Sequence, residues 1–479
     1  FMSKELGIKA KKENLSEWYE EVILKTQLAD YSPVKGCIIY LPYSYAIWNL
    51  IKEEFTKIIK DEVSEVYFPL FIPKKILEKE AKHFEGFSPE VAWVTRGGDS
   101  DLDEWLAVRP TSETIIYSYI SKLIKSYRDL PLRIIQWCNV VRWETKATKP
   151  FLRGREFLWH EGHTFHATFE EAEEEMKKRI YQYKDFVERY LAIPVIAGYK
   201  SEYEKFAGAH TTTTIETLLP DFKALQCGTS HNLADNFSKV FEIYFQDKDG
   251  KNKLVFQTSW GFSTRLIGAL VMIHGDDKGL ILPPKIAPYQ IVIVPIYYNE
   301  EEKNLIFQKV KEIENKLKQK YRVISDLREE YTPGYKFNEW EMKGVPIRIE
   351  IGMNELKNKT LVIHRRDEMK KEIIKEEELE SKINTLIEEI QSNLFNKAKK
   401  FLDEHIYVAN NFEEFKEKID KGFVIANHCG DQDCEEKIKE LTKATCRVIE
   451  FDNNKPFGDE KCVLCGKKAK YKAYFARAY

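Results

Sequence analysis

The stretch LRIIQWCNVVRWETKATKPFLRGREFLWHEGHTF, residues 132–165, decides how the first half of this chain folds. Its opening part, Leu132 to Glu144, reads as a strand ending in Arg142 and Glu144, which point to one face because strand side chains repeat every two residues. A basic loop, Lys146 to Arg155, follows. In EFLWHEGHTF the same alternation puts Phe157, Trp159, Glu161, His163 and Phe165 on one face and His160 and His166 on the other. Two strands joined by a loop predict an antiparallel hairpin. Thr168 and Glu171 then form a T-x-x-E capping box that opens a helix with Met176, Ile180, Tyr183 and Val187 on its apolar side.

The hairpin face carries an aromatic ring, a carboxylate, a histidine and an arginine where a plain core face would be apolar. Taken alone, it reads equally well as a solvated sheet face. Two stretches further along change the balance. In LQCGTSHNLADNF, Gln226, Thr229 and His231 sit among small residues; in QTSWGFSTRLIGALVMIHGD, Arg265 stands at the first turn of an apolar helix. A helix N-terminus already favours an anion, and a guanidinium there beside Gly261 suits a phosphate. The blander reading of Arg265 is a surface arginine next to a core helix.

At 479 residues the chain has room for about three domains, since one hydrophobic core rarely grows beyond roughly 250 residues. With 43% hydrophobic and 32% charged residues the profile is globular. No apolar run is long enough to span a bilayer, and the opening FMSKELGIKAKKENLSEWYEE lacks the apolar core and cleavage site of a leader, so the cytoplasm is the expected compartment. Phe1, ahead of Met2, is left out of fold reasoning. A net charge of −2 excludes a protein that coats nucleic acid through a global positive field, and leaves RNA contact to local patches.

The prolines at 283, 284 and 288 place a boundary near residue 285. Beyond it, IVIVPI, YRVISD, PIRIEIG and TLVIHRR read as strands and Asn299 to Lys320 as a helix, an order that favours a parallel or mixed sheet. From about Lys370 a long charged helix is expected, with Ile383, Leu386, Ile387, Ile390 and Leu394 at helical spacing. The domains expected are 1–285, 286–398 and 399–479. In the last, Cys429-x4-Cys434 and Cys462-x2-Cys465-Gly466 offer four thiolates in two pairs, which points to a structural zinc ion stapling a module too small for a core of its own.

In combination these stretches match a family. RWE, the basic loop and REF resemble motif 2 of class II aminoacyl-tRNA synthetases; GFSTR with its apolar helix resembles motif 3. A helix from about Tyr43 to Lys60 followed by VYFPLFIP, with Pro69 in place, resembles motif 1. The strings RPTSET, FLWHEGHTF, LQCGTSHNLADNFSKVFEI and HGDDKGLILPP together resemble the archaeal and eukaryotic type of prolyl-tRNA synthetase over essentially the whole chain. About 55 residues separate the hairpin from Gln226, too few for the large editing insertion of many bacterial members.

The resemblance implies a fold and a chemistry. It implies an α+β catalytic domain built on an antiparallel sheet, an α/β anticodon-binding domain, a small zinc-binding α/β C-terminal domain and, through motif 1, a homodimer. It implies ATP-dependent ligation of L-proline to tRNA(Pro) through a prolyl-adenylate, with Mg2+ bridging the phosphates. Arg142 resembles the arginine that bridges the α-phosphate and the amino-acid carboxylate, and Arg265 the one that holds the γ-phosphate; Arg153, with Gly154 beside it, would reach the outer phosphates. Glu144 would accept from the adenine amino group, Phe157 would stack on the ring, and Gln226, Thr229 and Ser263 would complete the nucleotide site. For proline, a compact ring with a secondary ammonium, Thr111 and Glu113 would supply acceptors, Trp159 a wall, and Glu161, His163 and His231 the remaining polar contacts. A metal site at His160, His163 and His166 is the alternative, which alternation disfavours. Glu350 and Arg365 are candidate anticodon readers, against a surface ion pair as the plainer reading, and the terminal Tyr479 would fold back near the active site.

Overall fold

A computed structural model of the protein describes residues 7–84, 90–144 and 146–479; Phe1 and Met2 lie outside the described residues. Six consecutive antiparallel strands form the heart of the first half. They are Ile196–Tyr199, Thr211–Leu218, Ala224–Ala234, Phe256–Ser263, Glu156–His166 and Leu132–Val141. The hairpin pairs from Leu132 opposite Phe165 to Val141 opposite Glu156. Arg142 falls one residue past the strand, although its N–H still donates to Arg155 O at 2.7 Å.

One face of this sheet is covered by the helix Phe169–Leu191, which starts where Thr168 Oγ1 accepts the Glu171 N–H. Met176, Ile180, Tyr183 and Val187 are buried against the strands. Even-numbered residues of Glu156–His166 and of the 228–232 part of Ala224–Ala234 face this helix: His160 meets the Tyr183 hydroxyl at 3.0 Å and Ser230 Oγ donates to Met176 O at 2.8 Å. Gly162 has no alternative to glycine, since a Cβ there would lie 2.4 Å from the Trp260 ring. The helix Pro42–Ile59, started by a proline at its first position, buries Ile47, Trp48, Ile51 and Phe55 in the same core.

The second unit is a five-stranded mixed sheet. Val323–Ser325, Ile291–Pro295 and Ile347–Ile351 run parallel, and Thr360–Arg365 and Lys370–Lys375 are added antiparallel. The last of these corrects the expectation of a helix from Lys370. Lys370–Lys375 shows only one buried residue, Ile374, as an edge strand with a mostly exposed face does, and the long helix starts at Leu379 and runs to Glu404. A bidentate pair joins this unit to the first: Arg366 Nη1 and Nη2 donate to Asp276 at 2.9 and 2.6 Å.

The C-terminal strands Ile406–Val408, Phe423–His428, Tyr471–Ala476 and Thr445–Glu450 form a small sheet with its own core around Phe415, Ile438 and Phe475. This sheet does not stand alone. Its strand Thr445–Glu450 pairs edge to edge with Ile196–Tyr199, so the first and the C-terminal sheets are continuous. Gly198 makes the join possible, because a Cβ there would meet Ile449 O at 2.2 Å.

Candidate active site

The face of the sheet turned away from the long helix borders a cavity of about 570 Å3. Phe157, Trp159, Glu161 and His163 line it from the hairpin, Ser259, Gly261 and Ser263 from the next strand, and Thr229 and His231 from the one beyond. Gln226 lines it as well, although strict alternation would turn it the other way. A bulge explains this: Ile215 pairs with Gly228 and Glu216 with Gln226, so Cys227 is an extra residue and the parity changes there.

Arg142 and Arg265 both line this cavity. Arg142 Nε donates to Pro110 O at 2.9 Å, and its guanidinium lies 5.4 Å from the Phe157 ring and 5.6 Å from that of Trp159. Arg265 Nε donates to Leu152 O at 3.2 Å. Among the described residues, neither arginine's Nη groups have a protein hydrogen-bond partner. Burial lowers both guanidinium pKa values; Glu113, Glu144 and Glu161 oppose that for Arg142, and Cys227 and Glu216 for Arg265. Arg153 Nε stands 3.8 Å from Glu144 Oε2, a buried oxygen without a hydrogen-bond partner. A Cβ on Gly154 would lie 3.0 Å from Gly36 O, a tight approach that favours glycine there.

At the other end of the cavity Glu161 is the hub. Its Oε1 lies 2.6 Å from His163 Nε2, and its Oε2 accepts from Ser112 Oγ at 2.7 Å, Trp159 Nε1 at 3.0 Å and Gln136 Nε2 at 3.3 Å. Burial alone would raise its pKa, but the bonds from His163, Ser112 and Gln136 outweigh it and hold the carboxyl below its usual range. His163 Nδ1 meets the Tyr117 hydroxyl at 2.9 Å. Thr111 Oγ1 donates to the Glu113 carboxylate, and both line the cavity. His231 Nδ1 is 2.9 Å from Thr212 Oγ1 and its ring is 4.9 Å from Phe206; burial drives its pKa down to about 3, so it is a neutral imidazole.

Several functional neighbours carried no signal that sequence reasoning used. Ser112 and Gln136 hold Glu161, and Arg109 locks the turn before Thr111 by donating to Asn139 O at 2.8 Å and Phe68 O at 2.9 Å. Arg109 and Ser112 stand inside RPTSET, so the string held the clue. Lys200, Glu204 and Phe206 reach the cavity from a segment that has no motif. Tyr479 docks beside the strand Ala224–Ala234, its N–H donating to Ala224 O at 3.1 Å and its ring lying 5.6 Å from Lys149 Nζ.

The candidate anticodon readers are not brought together. Glu350 pairs across the sheet with Val362 and Arg365 with Ile347. Glu350 is held by Arg348 at 3.1 Å and Lys371 at 2.9 Å, and Arg365 by Asp367 at 2.8 Å.

In the C-terminal unit, His428, Cys429, Cys434 and Cys462 place one ligand atom each within 4.8 Å of the others. The sequence reading named Cys465 and not His428. Cys465 is exposed and stands outside that group, in which Cys434 Sγ and Cys462 Sγ lie 3.7 Å apart. His428 Nδ1 accepts from the Gly430 N–H at 3.0 Å, and its Nε2 is buried with no partner. Burial raises the Cys429 and Cys434 thiols, so a cation is what would hold them as thiolates; a soft sulfur-rich set of this kind fits zinc. No such cluster forms at His160, His163 and His166 among the described residues, because His163 faces the cavity and His160 the helix.

Comparison with known proteins bears on all three units. Residues 93–274 match the class II core domain of tRNA synthetases (G, H, P, S and T), residues 290–386 an anticodon-binding domain, and residues 412–479 the prolyl-tRNA synthetase C-terminal domain. A protein of Natranaerobius thermophilus named Proline--tRNA ligase is 52% identical over 472 residues, covering 98% of this chain and 97% of the relative. One from Alkaliphilus oremlandii is 50% identical over 469 residues, 97% and 96% of the two chains. A Proline--tRNA ligase 2 of Bacillus cereus is 50% identical over 470 residues, 98% and 97%.

Proposed function

The chain belongs to the prolyl-tRNA synthetase family, and from that premise we propose how its cavity divides the work of joining proline to tRNA. It is an ATP-dependent proline–tRNA ligase that works through a prolyl-adenylate. Activation brings two anions together, the proline carboxylate and the α-phosphate, so positioning and charge neutralisation carry the reaction. The carboxylate is already ionised, and no strong general base is needed.

Arg142 bridges the carboxylate and the α-phosphate, and Arg265 holds the γ-phosphate. The observation that carries this reading is that each is tethered through Nε to a carbonyl and keeps its Nη donors for a ligand in the same cavity. Glu144 accepts from the adenine amino group through its unpartnered oxygen, Phe157 stacks on the ring, and Arg153 with Gly154 covers the outer phosphates. Gln226, Thr229 and Ser263 complete the nucleotide end. Mg2+ bound to the incoming ATP would supply further neutralisation of the phosphate charge beside Arg142, Arg153 and Arg265.

Thr111 and Glu113 take the secondary ammonium of proline, Trp159 walls the ring, and Glu161, His163 and His231 fix the pocket around it. A neutral His231 suits a place near the carboxylate as a hydrogen-bond donor. Residues 1–285 form the catalytic unit, 286–398 the anticodon-binding unit, and 399–479 a unit whose cysteines would hold a structural zinc ion. Glu350 and Arg365 can read bases only by exchanging their intramolecular partners. The reading includes a cytoplasmic homodimer: exposed Tyr67, at 71%, and Phe71, at 42%, follow the motif 1 helix and offer apolar surface to a second copy. Among the described residues no helix is long and apolar enough to cross a membrane.

The test is proline-dependent exchange of pyrophosphate into ATP. The wild-type chain should support it and Arg142→Ala should abolish it; near-normal exchange in the variant would sink the assignment of the cavity.

A further inference from the structure

The C-terminal domain touches residues of the catalytic domain that line the cavity. Its strand Thr445–Glu450 pairs with Tyr471–Ala476 on one side, and that ladder breaks between Cys446 and Val448, which leaves Arg447 as the extra residue of a bulge. Bulges re-aim side chains. Here the buried Arg447 extends into the catalytic domain, where its Nη2 lies 2.8 Å from Glu216 Oε1, while Nη1 donates to Thr445 Oγ1 at 2.9 Å. Glu216, fully buried, also accepts from Lys200 Nζ at 2.6 Å. Glu216 stands opposite Gln226 in the sheet, and Lys200 lines the cavity.

A second tie holds the next residue from the same side: Ser201 Oγ donates to Glu435 Oε1 of the C-terminal domain at 2.6 Å. Lys200 and Ser201 begin the segment that carries Glu204 and Phe206 to the cavity wall. Phe206 N donates to Thr212 Oγ1 at 3.0 Å, the same hydroxyl that meets His231 Nδ1, and the Phe206 ring lies against His231. A chain of contacts therefore runs from the C-terminal sheet through Glu216 and Lys200 to the proline end of the site.

The charges in this chain are not arranged for stability. Two cations share one carboxylate in the interior, and Glu216 Oε2 and Arg447 Nε are buried without partners. Apolar packing of similar volume would hold the two domains together at least as well. What the charges fix is where residues 200–206 lie.

We propose that Arg447 is a positioning residue for amino-acid activation: through Glu216 and Lys200 the C-terminal domain sets the wall of the proline pocket. The inference rests on the assignment of the cavity made above. It is tested by steady-state pyrophosphate exchange on the full-length chain, comparing wild type, Arg447→Met, Arg447→Lys and Ser201→Ala, each with its zinc content and thermal melt recorded. Misplacing the wall should raise the KM for proline about 10- to 100-fold in Arg447→Met while the KM for ATP moves by less than about threefold. Arg447→Lys, which keeps the charge, should recover most of the loss, and Ser201→Ala should shift the proline KM in the same direction without altering any charge. Folded, zinc-loaded Arg447→Met with a wild-type proline KM would overturn the proposal. So would a loss confined to kcat that tracks the unfolded fraction, with Ser201→Ala unchanged. Failure of the wild-type chain to exchange at all would remove the cavity assignment and this inference with it.

Discussion

Replacing Glu161 by glutamine isolates the charge at the centre of the proline pocket. The carboxylate accepts at both oxygens: His163 at 2.6 Å on one, and Ser112 at 2.7 Å, Trp159 at 3.0 Å and Gln136 at 3.3 Å on the other. A glutamine can keep its oxygen toward Ser112 and Trp159. Its NH2 then faces His163, which must turn acceptor at Nε2 and carry its proton on Nδ1 toward Tyr117. The second amide N–H finds no acceptor in His163 and the Tyr117 hydroxyl proton loses Nδ1 as its acceptor, while the three short bonds lose their charge assistance, at about 1 kcal/mol each. The sum, about 3 kcal/mol, corresponds to about a 100-fold fall in kcat/KM for proline. The loss should appear with proline varied, and little of it with ATP varied. Acid sensitivity gives a second readout. The folded carboxyl titrates below its ordinary value of 4.5, so its contribution to stability is present above that pH and disappears as pH falls through the folded value. Glu161→Gln should therefore lose less stability than wild type on acidification. A glutamine variant within about threefold of wild type in kcat/KM for proline, with the same acid profile, would refute the role given to this charge, since it would mean that less than about 1 kcal/mol is at stake.

Three other outcomes follow from the geometry of the C-terminal domain and of its joint with the first sheet. Metal analysis should find zinc, and chelation should lower the melting temperature of the full chain; a zinc-free protein whose thiols are all freely alkylated while it stays folded would contradict the metal site. Cys429→Ser should cost most of the bound metal, because a hard oxygen replaces a soft thiolate. Gly198→Ala should part the joint between the catalytic and C-terminal sheets, since the added Cβ would sit 2.2 Å from a backbone oxygen that has nowhere to move. Such overpacking costs about 1–3 kcal/mol or more. Limited proteolysis near residues 445–450 and an earlier melt are the checks.

The hairpin was legible because its pattern is local: alternation along Glu156–His166 alone sorts His163 into the cavity and His160 onto the helix. Capping at Thr168 and the apolar stripe behind it were legible for the same reason. Gln226 was named by resemblance, and no periodicity would have turned it toward Thr229; the bulge at Cys227 that does so is visible only once the strand has a partner. Ser112, Gln136 and Arg109 act through long-range contacts to Glu161, Asn139 and Phe68, which no spacing encodes. Lys370–Lys375 was mistaken for helix because its Lys/Glu composition suits a helix, and edge pairing with Thr360–Arg365 decided otherwise. The continuity of the two sheets through Gly198 and Ile449 was likewise out of reach, since it joins residues some 250 positions apart.

The central claim is that this cavity activates proline with ATP. Pyrophosphate exchange measured with each standard amino acid in turn tests it most directly. Exchange should depend on proline far more strongly than on any other amino acid and vanish in Arg142→Ala. Exchange driven chiefly by a different amino acid, or by none, would contradict it.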